Sequence, residues 1–212
     1  MQQKNQPSIQ LKNLSKSYAE KVIFQQLNYR WQGNGIFVLS GTNGAGKSTL
    51  LQIIVGMDTV YQGQVLIHDQ VCSQKQLAEH MSFVPDAMVA YPFLTGQDFL
   101  EFIASLRNIS MSKAQVLIDA FQLQDFLQTR FDAMSFGTAK KMMLISAFMS
   151  DTSILVLDEP THGLDVQSLN VLKELLLEAA QHRLILMTCH DVHLQQMLNA
   201  QHVNLYDLVE VA

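Results

Sequence analysis

The sequence predicts an α/β fold: a mainly parallel sheet with an N-terminal antiparallel β-subdomain and an inserted helical subdomain. Short apolar strands alternate with helical stretches over much of the chain, the pattern of a parallel sheet that binds its ligand at the carboxyl ends of its strands. Residues Gly41-Thr42-Asn43-Gly44-Ala45-Gly46-Lys47-Ser48 spell G-x-x-x-x-G-K-[ST]. The apolar run Gly35–Ser40 precedes them and Thr49–Val55 follows at helical spacing, so the strand–loop–helix context of a phosphate-binding loop is complete. That places the chain in the P-loop NTPase class. From Thr95 the alternation gives way to helical periodicity, which predicts an insert over about 88–150 with its lobe at Tyr91–Arg130.

The elements follow in order. Ser8–Tyr18 and Val22–Trp31 read as β-segments joined by the polar turn Ala19-Glu20-Lys21. After the phosphate loop and its helix comes a short strand at Gln64–Ile67, then a buried strand at Met81–Val84 ended by Pro85-Asp86. Thr95 can cap a helix whose apolar face is Phe99, Phe102, Ile103 and Leu106, and Val116, Leu117, Ala120 and Phe121 continue the helical character. Helical periodicity returns at Thr138–Met149, before the fully apolar strand Ile154–Leu157. Val166–Gln181 reads as a helix, Leu184–Thr188 as a strand and Val192–Leu198 as a final helix.

Composition narrows the function classes. At 212 residues the chain holds one substantial core, and 48% hydrophobic with 16% charged residues fits a soluble globular protein. A net charge of −5 without any Lys/Arg cluster argues against a nucleic-acid partner. Cys72 and Cys189 lack metal-type spacing and read as free thiols of a reducing cytosol. Met1–Pro7 contains no apolar stretch of the secretory kind. The best apolar runs, Met142–Met149 and Leu184–Met187, fall short of the roughly 20 residues that span a bilayer, so a membrane role must come through a partner.

The chemistry of the loop follows from its residue types. Gly41, Asn43, Gly44, Ala45 and Gly46 let backbone N–H groups converge on phosphate, Lys47 reaches the β/γ oxygens, and Ser48 and Thr49 open the helix, with the Ser48 hydroxyl free to ligate Mg²⁺. Ile154–Leu157 ends in Asp158-Glu159, a Walker B pattern. Asp158 at the strand tip can hold Mg²⁺, and Glu159 stands one residue on, where it can act as general base on the attacking water. His190 and His193 lie three apart, but the set has no further ligand for zinc.

With these motifs in this order the chain closely resembles the ATP-binding cassette of ABC transporters. Ile154–Asp165, ILVLDEPTHGLD, is similar to the family's Walker B and D-loop; Met134–Lys141 stands where the family has its LSGGQ signature; Thr188-Cys189-His190-Asp191 resembles its switch-histidine segment. The resemblance runs from about Ile9 to Tyr206, so residues 1–212 read as a single ABC ATPase domain. It implies ATP and Mg²⁺ as ligands, and two cassettes, a homodimer or a pair with a second cassette subunit, closing head to tail on ATP. Tyr18 would then stack on adenine. Ser135 and Gly137 would face the γ-phosphate across the dimer, and Asp165 would reach the opposing phosphate loop. His190 would contact the γ-phosphate and orient the water. The implied partner is a transmembrane permease subunit that chooses the substrate, with the cassette cytoplasmic and peripheral at the inner face of the membrane. Tyr91, Phe93 and Phe99 are the apolar candidates for the permease's coupling groove.

Two departures stand out. The family has Gln where Phe83-Val84-Pro85-Asp86 places Asp86, which is anionic and one methylene shorter: a stronger metal ligand with less reach. Phe136 replaces the first signature glycine and Thr138 the glutamine, while Gly137 remains where a Cβ would intrude on phosphate. Phe136 must therefore point away from the nucleotide. The expected activity is transport-coupled ATP hydrolysis. The rivals are a nucleotide sensor with weak turnover, which the two departures keep open, and a soluble cassette ATPase acting on DNA or ribosomes, which the charge and the lack of long insertions weigh against.

Overall fold

A computed structural model describes residues 6–86 and 91–208. Met1–Asn5 of the polar N-terminus and position 88, the start of the expected insert, lie outside the described residues.

Strands β1 (Ser8–Tyr18), β2 (Lys21–Gln32) and, after helix α1 (Lys47–Ile54), β4 (Gln62–Ile67) form an antiparallel sheet in the order β2-β1-β4. Strands β3 (Gly35–Ser40), β5 (Met81–Val84), β6 (Ile154–Leu157), β7 (Leu184–Met187) and β8 (Gln201–Asn204) form a wholly parallel sheet in the order β5-β6-β7-β3-β8. Among the described residues α2 (Gln74–His80) lies between β4 and β5, and α3 (Gly96–Arg107), α4 (Ser112–Phe121), α5 (Phe136–Phe148), α6 (Val166–Ala179) and α7 (Val192–Met197) follow β5.

Strands β3, β6 and β7 are buried on both faces, and alternate residues serve two different cores. Val38, Leu155, Leu157, Ile185 and Met187 pack toward α3–α6, whereas Phe37, Leu39, Ile154, Val156, Leu184 and Leu186 pack toward α1 and the antiparallel sheet. That follows from the two-residue period of a strand, and explains why these strands read as unbroken apolar runs. Burying each such side chain is worth about 1.5–3 kcal/mol. Helix α5 is buried along nearly its whole length from Thr138 to Phe148, which fits a helix apolar all round.

Three details differ from the sequence expectation. Helix α2 and strand β8 carry too little apolar patterning to be seen in the chain: α2 has no buried residue, and β8 buries only Val203 below a tenth exposed. Helix α3 turns a different face inward, burying Gly96, Phe99, Leu100 and Ala104 while Phe102 and Leu106 stay 44% and 69% exposed. Both stripes obey helical spacing; packing against α5 chooses between them. In α4, likewise, Leu117 and Phe121 are buried with Ala114 and Ile118, while Val116 and Ala120 face outward.

Candidate active site

The order of the parallel sheet brings the chemistry together. Strand β7 lies between β3, which delivers the phosphate loop, and β6, which delivers the acidic pair, so Thr188–Asp191 emerges between them. At these strand ends lies a cavity of about 350 Å³ lined by Asn43, Gly44, Gly46, Lys47, Ser48, Thr49, Asp86, Asp158, Glu159 and His190, with Ile23 as its apolar wall.

The phosphate loop is shaped by glycine. Gly46, the residue before α1, has φ +101°, and a Cβ there would lie 2.4 Å from Ile23 Cγ2. Only glycine takes that conformation and that space. Helix α1 begins without an acidic residue in its first turn, so its N–H groups and dipole are left for an anion. Lys47 donates to its own loop's carbonyls, Gly41 at 2.8 Å and Thr42 at 3.2 Å. These are neutral acceptors, and phosphate oxygens outcompete them for an ammonium.

The acidic pair is held differently at each member. Asp158 is buried, 3% exposed, and its Oδ1 accepts a 2.6 Å hydrogen bond from the Thr188 hydroxyl. The same hydroxyl accepts the Glu159 N–H at 2.9 Å, which ties β6 to β7 at the site. Glu159 has φ +44°, a left-handed backbone that a non-glycine residue adopts at a cost of about 1 kcal/mol or more. This conformation turns its carboxylate to His190: Oε2 accepts the His190 N–H at 3.2 Å, and Oε1 lies 3.3 Å from Nε2. Burial raises the Glu159 pKa above its ordinary 4.5, with Asp158 and Asp86 adding to the rise and His190 opposing it. A carboxyl group that is to act as general base must be deprotonated to do so. Activity is therefore expected to fall, as pH drops, through a limb lying above the ordinary glutamate range, and a kcat–pH profile checks this. Glu159→Gln should abolish that limb.

Lys140 stands beside the site and was not singled out from the sequence. It is 0% exposed and donates to the carbonyls of Pro85 (2.9 Å), Asp86 (3.3 Å) and Asp158 (3.3 Å). Burial pushes its pKa down, against the pull of Asp86, Asp158 and Glu159. The signal was there to read: a lysine running into the apolar stretch Met142–Ile145 of a buried helix needs buried acceptors.

Gly41 and Ala45 belong to the same loop without lining the cavity, and Tyr18, Ser135, Gly137 and Asp165 do not line it either. Tyr18 is half exposed, its hydroxyl 2.9 Å from Asp58 Oδ2 and the Lys16 ammonium 4.3 Å from its ring centroid. Ser135 caps α5, accepting the Thr138 N–H at 3.1 Å. Asp165 caps α6 through Ser168 N–H at 2.8 Å, with Lys141 3.5 Å away. Gly137 has a requirement inside its own chain that the sequence did not reveal: a Cβ there would lie 2.3 Å from the Gly163 carbonyl oxygen. Phe99 is 5% exposed and packs edge-on against Phe131 at 5.1 Å, so it belongs to the core and is not available as the docking residue expected from the sequence.

Comparison with known proteins agrees with this geometry. The family model described as ABC transporter matches residues 24–162. The zinc import ATP-binding protein ZnuC of Haemophilus influenzae is 28% identical over 197 residues, covering 91% of this chain and 69% of the relative. The cytochrome c biogenesis ATP-binding export protein CcmA of Reclinomonas americana is 24% identical, covering 86% of this chain and 85% of its own length. A solved structure, an ATP-binding subunit of an ABC transporter, superposes with a TM-score of 0.83 at 24% identity, covering 92% of this chain and 85% of that one. A phosphate loop, an acidic pair and a histidine converging at the strand ends, in a chain that these comparisons match along most of its length, make it a member of the ABC transporter family, an ATP-binding ATPase cassette.

Proposed function

We propose that the chain binds MgATP in this cavity, closes head to tail on a second cassette, and hydrolyses ATP to drive a membrane-embedded permease. The observation that carries the reading is the convergence of Lys47, Ser48 and Thr49 with Asp158, Glu159 and His190 around one space. The Asp158 carboxylate and Ser48 hydroxyl are the hard oxygen donors that Mg²⁺ prefers. Asp86 lines the same space and offers a further carboxylate oxygen; among the described residues no three His, Cys, Asp or Glu side chains could hold a metal together, so the ion would complete its shell with phosphate and water.

In this reading Lys47 leaves the Gly41 and Thr42 carbonyls for the β/γ oxygens. Glu159 takes a proton from the water, and His190 keeps the Glu159 carboxylate aimed while contacting the γ-phosphate. Ser135 and Gly137 at the start of α5, with Asp165, serve the nucleotide on the opposite cassette, and Tyr18 offers its exposed face to adenine. Among the described residues no helix is long and apolar enough to cross a membrane, which fits attachment at the inner face through the permease. Tyr91 and Phe93, 50% and 61% exposed with rings 6.0 Å apart, supply the apolar docking surface, and Phe102 joins them at 6.1 Å from Tyr91. A weak-turnover sensor is the competing reading, favoured by Phe136 standing 40% exposed at the signature. Phosphate release by the purified chain in MgATP separates the two: steady release is expected, and tight ATP binding without release would leave only the sensor.

A further inference from the structure

The loop after β5 is tied to the segment after β6 by a side-chain contact that phosphate binding does not require. His162 Nδ1 lies 2.9 Å from Asp86 Oδ1. An ionised carboxylate only accepts, so Nδ1 carries the hydrogen. The Lys140 ammonium stands 3.8 Å from the same oxygen while it donates to the Pro85 and Asp86 carbonyls. Both approaches fall on Oδ1, and the hydrogen-bond-length one belongs to His162. The imidazole rests in turn on the Phe136 ring, with centroids 4.9 Å apart. Phe136 fits only because residue 163 is glycine, since a Cβ there would lie 2.4 Å from Phe136 Cδ1. Asp86 itself lines the cavity with Ser48, Asp158 and Glu159.

We propose that His162 is a positioning residue for the magnesium of bound nucleotide: it anchors Oδ1 of Asp86 so that the second carboxylate oxygen is held ready for the ion. The inference rests on the MgATP reading above. Its physical basis is that an anchored carboxylate has already lost the rotamer freedom that ligation would otherwise cost. Groups that orient a metal-ligating side chain typically contribute 10–100-fold in metal affinity. The seat on Phe136 fixes the imidazole from its other side, which gives the bulky residue at the start of α5 a task within its own chain.

The test is binding of a fluorescent ATP analogue to the full chain, titrated with Mg²⁺. His162→Phe keeps a ring against Phe136 and loses the donor; His162→Asn keeps an N–H near the place of Nδ1 and loses the ring. His162→Phe is expected to raise the half-saturating Mg²⁺ concentration about tenfold, at the lower end of that range. His162→Asn should stay within about twofold of wild type, since it retains the hydrogen bond. Analogue binding in excess EDTA should be the same in all three proteins, which a general structural defect would not allow. In an Asp86→Ala background His162→Phe should add nothing. Equal shifts for the two His162 variants, no shift for His162→Phe, or a shift that persists without Asp86 would each overturn the proposal. A wild-type chain that bound no analogue at any Mg²⁺ concentration would overturn the MgATP reading and this inference with it.

Discussion

Glu159→Gln is expected to lower kcat for ATP by about 10²–10⁴-fold, the contribution of a positioned general base, while ATP still binds. The substitution preserves shape, and an amide oxygen can still accept the His190 N–H that Glu159 Oε2 now accepts at 3.2 Å. What is lost is the proton acceptor whose pKa burial has raised. With hydrolysis blocked and binding intact, the ATP-bound protein should accumulate as a dimer on size-exclusion chromatography in MgATP and return to its nucleotide-free elution in EDTA. Turnover at the wild-type rate would take the base role away from Glu159. Loss of ATP binding along with turnover would show that the substitution damages the cavity itself.

Lys47→Ala is expected to weaken ATP binding by about 3 kcal/mol, roughly a hundredfold in Kd, the scale of charge-assisted hydrogen bonds to phosphate. Among the described residues the ammonium donates to two carbonyls of its own loop, Gly41 and Thr42, so its removal should leave far-ultraviolet circular dichroism and melting temperature close to wild type. Equal affinity of a fluorescent ATP analogue for variant and wild type would refute the phosphate-loop assignment. The two variants fail at different steps: Lys47→Ala should stay largely unloaded and monomeric at ATP concentrations that saturate wild type, whereas Glu159→Gln should bind ATP and dimerise.

The parts of the site that could be read from the chain are those whose chemistry needs neighbouring residues. A phosphate loop must be contiguous because successive backbone N–H groups surround one anion, so Gly41–Ser48 announces itself. An acid pair at a strand tip is likewise local, and Ile154–Glu159 is legible for that reason. The buried parallel strands were visible too, because a strand covered on both faces must be apolar at every position. Tertiary structure decided whatever depended on a partner distant in sequence. The stripe of α3 that turns inward is set by α5, since Phe99–Leu100 and Phe102–Leu106 satisfy helical spacing equally well. Helix α2 and strand β8 gain their places from the elements beside them, having little apolar pattern of their own. Asp86 meets His162 across 76 positions, Lys140 meets the Pro85 carbonyl across 55, and Gly137 owes its missing side chain to the carbonyl of Gly163. Residue type and spacing determine which chemistry is available; only the packed sheet, by setting β7 between β3 and β6, determines which residues stand close enough to share it.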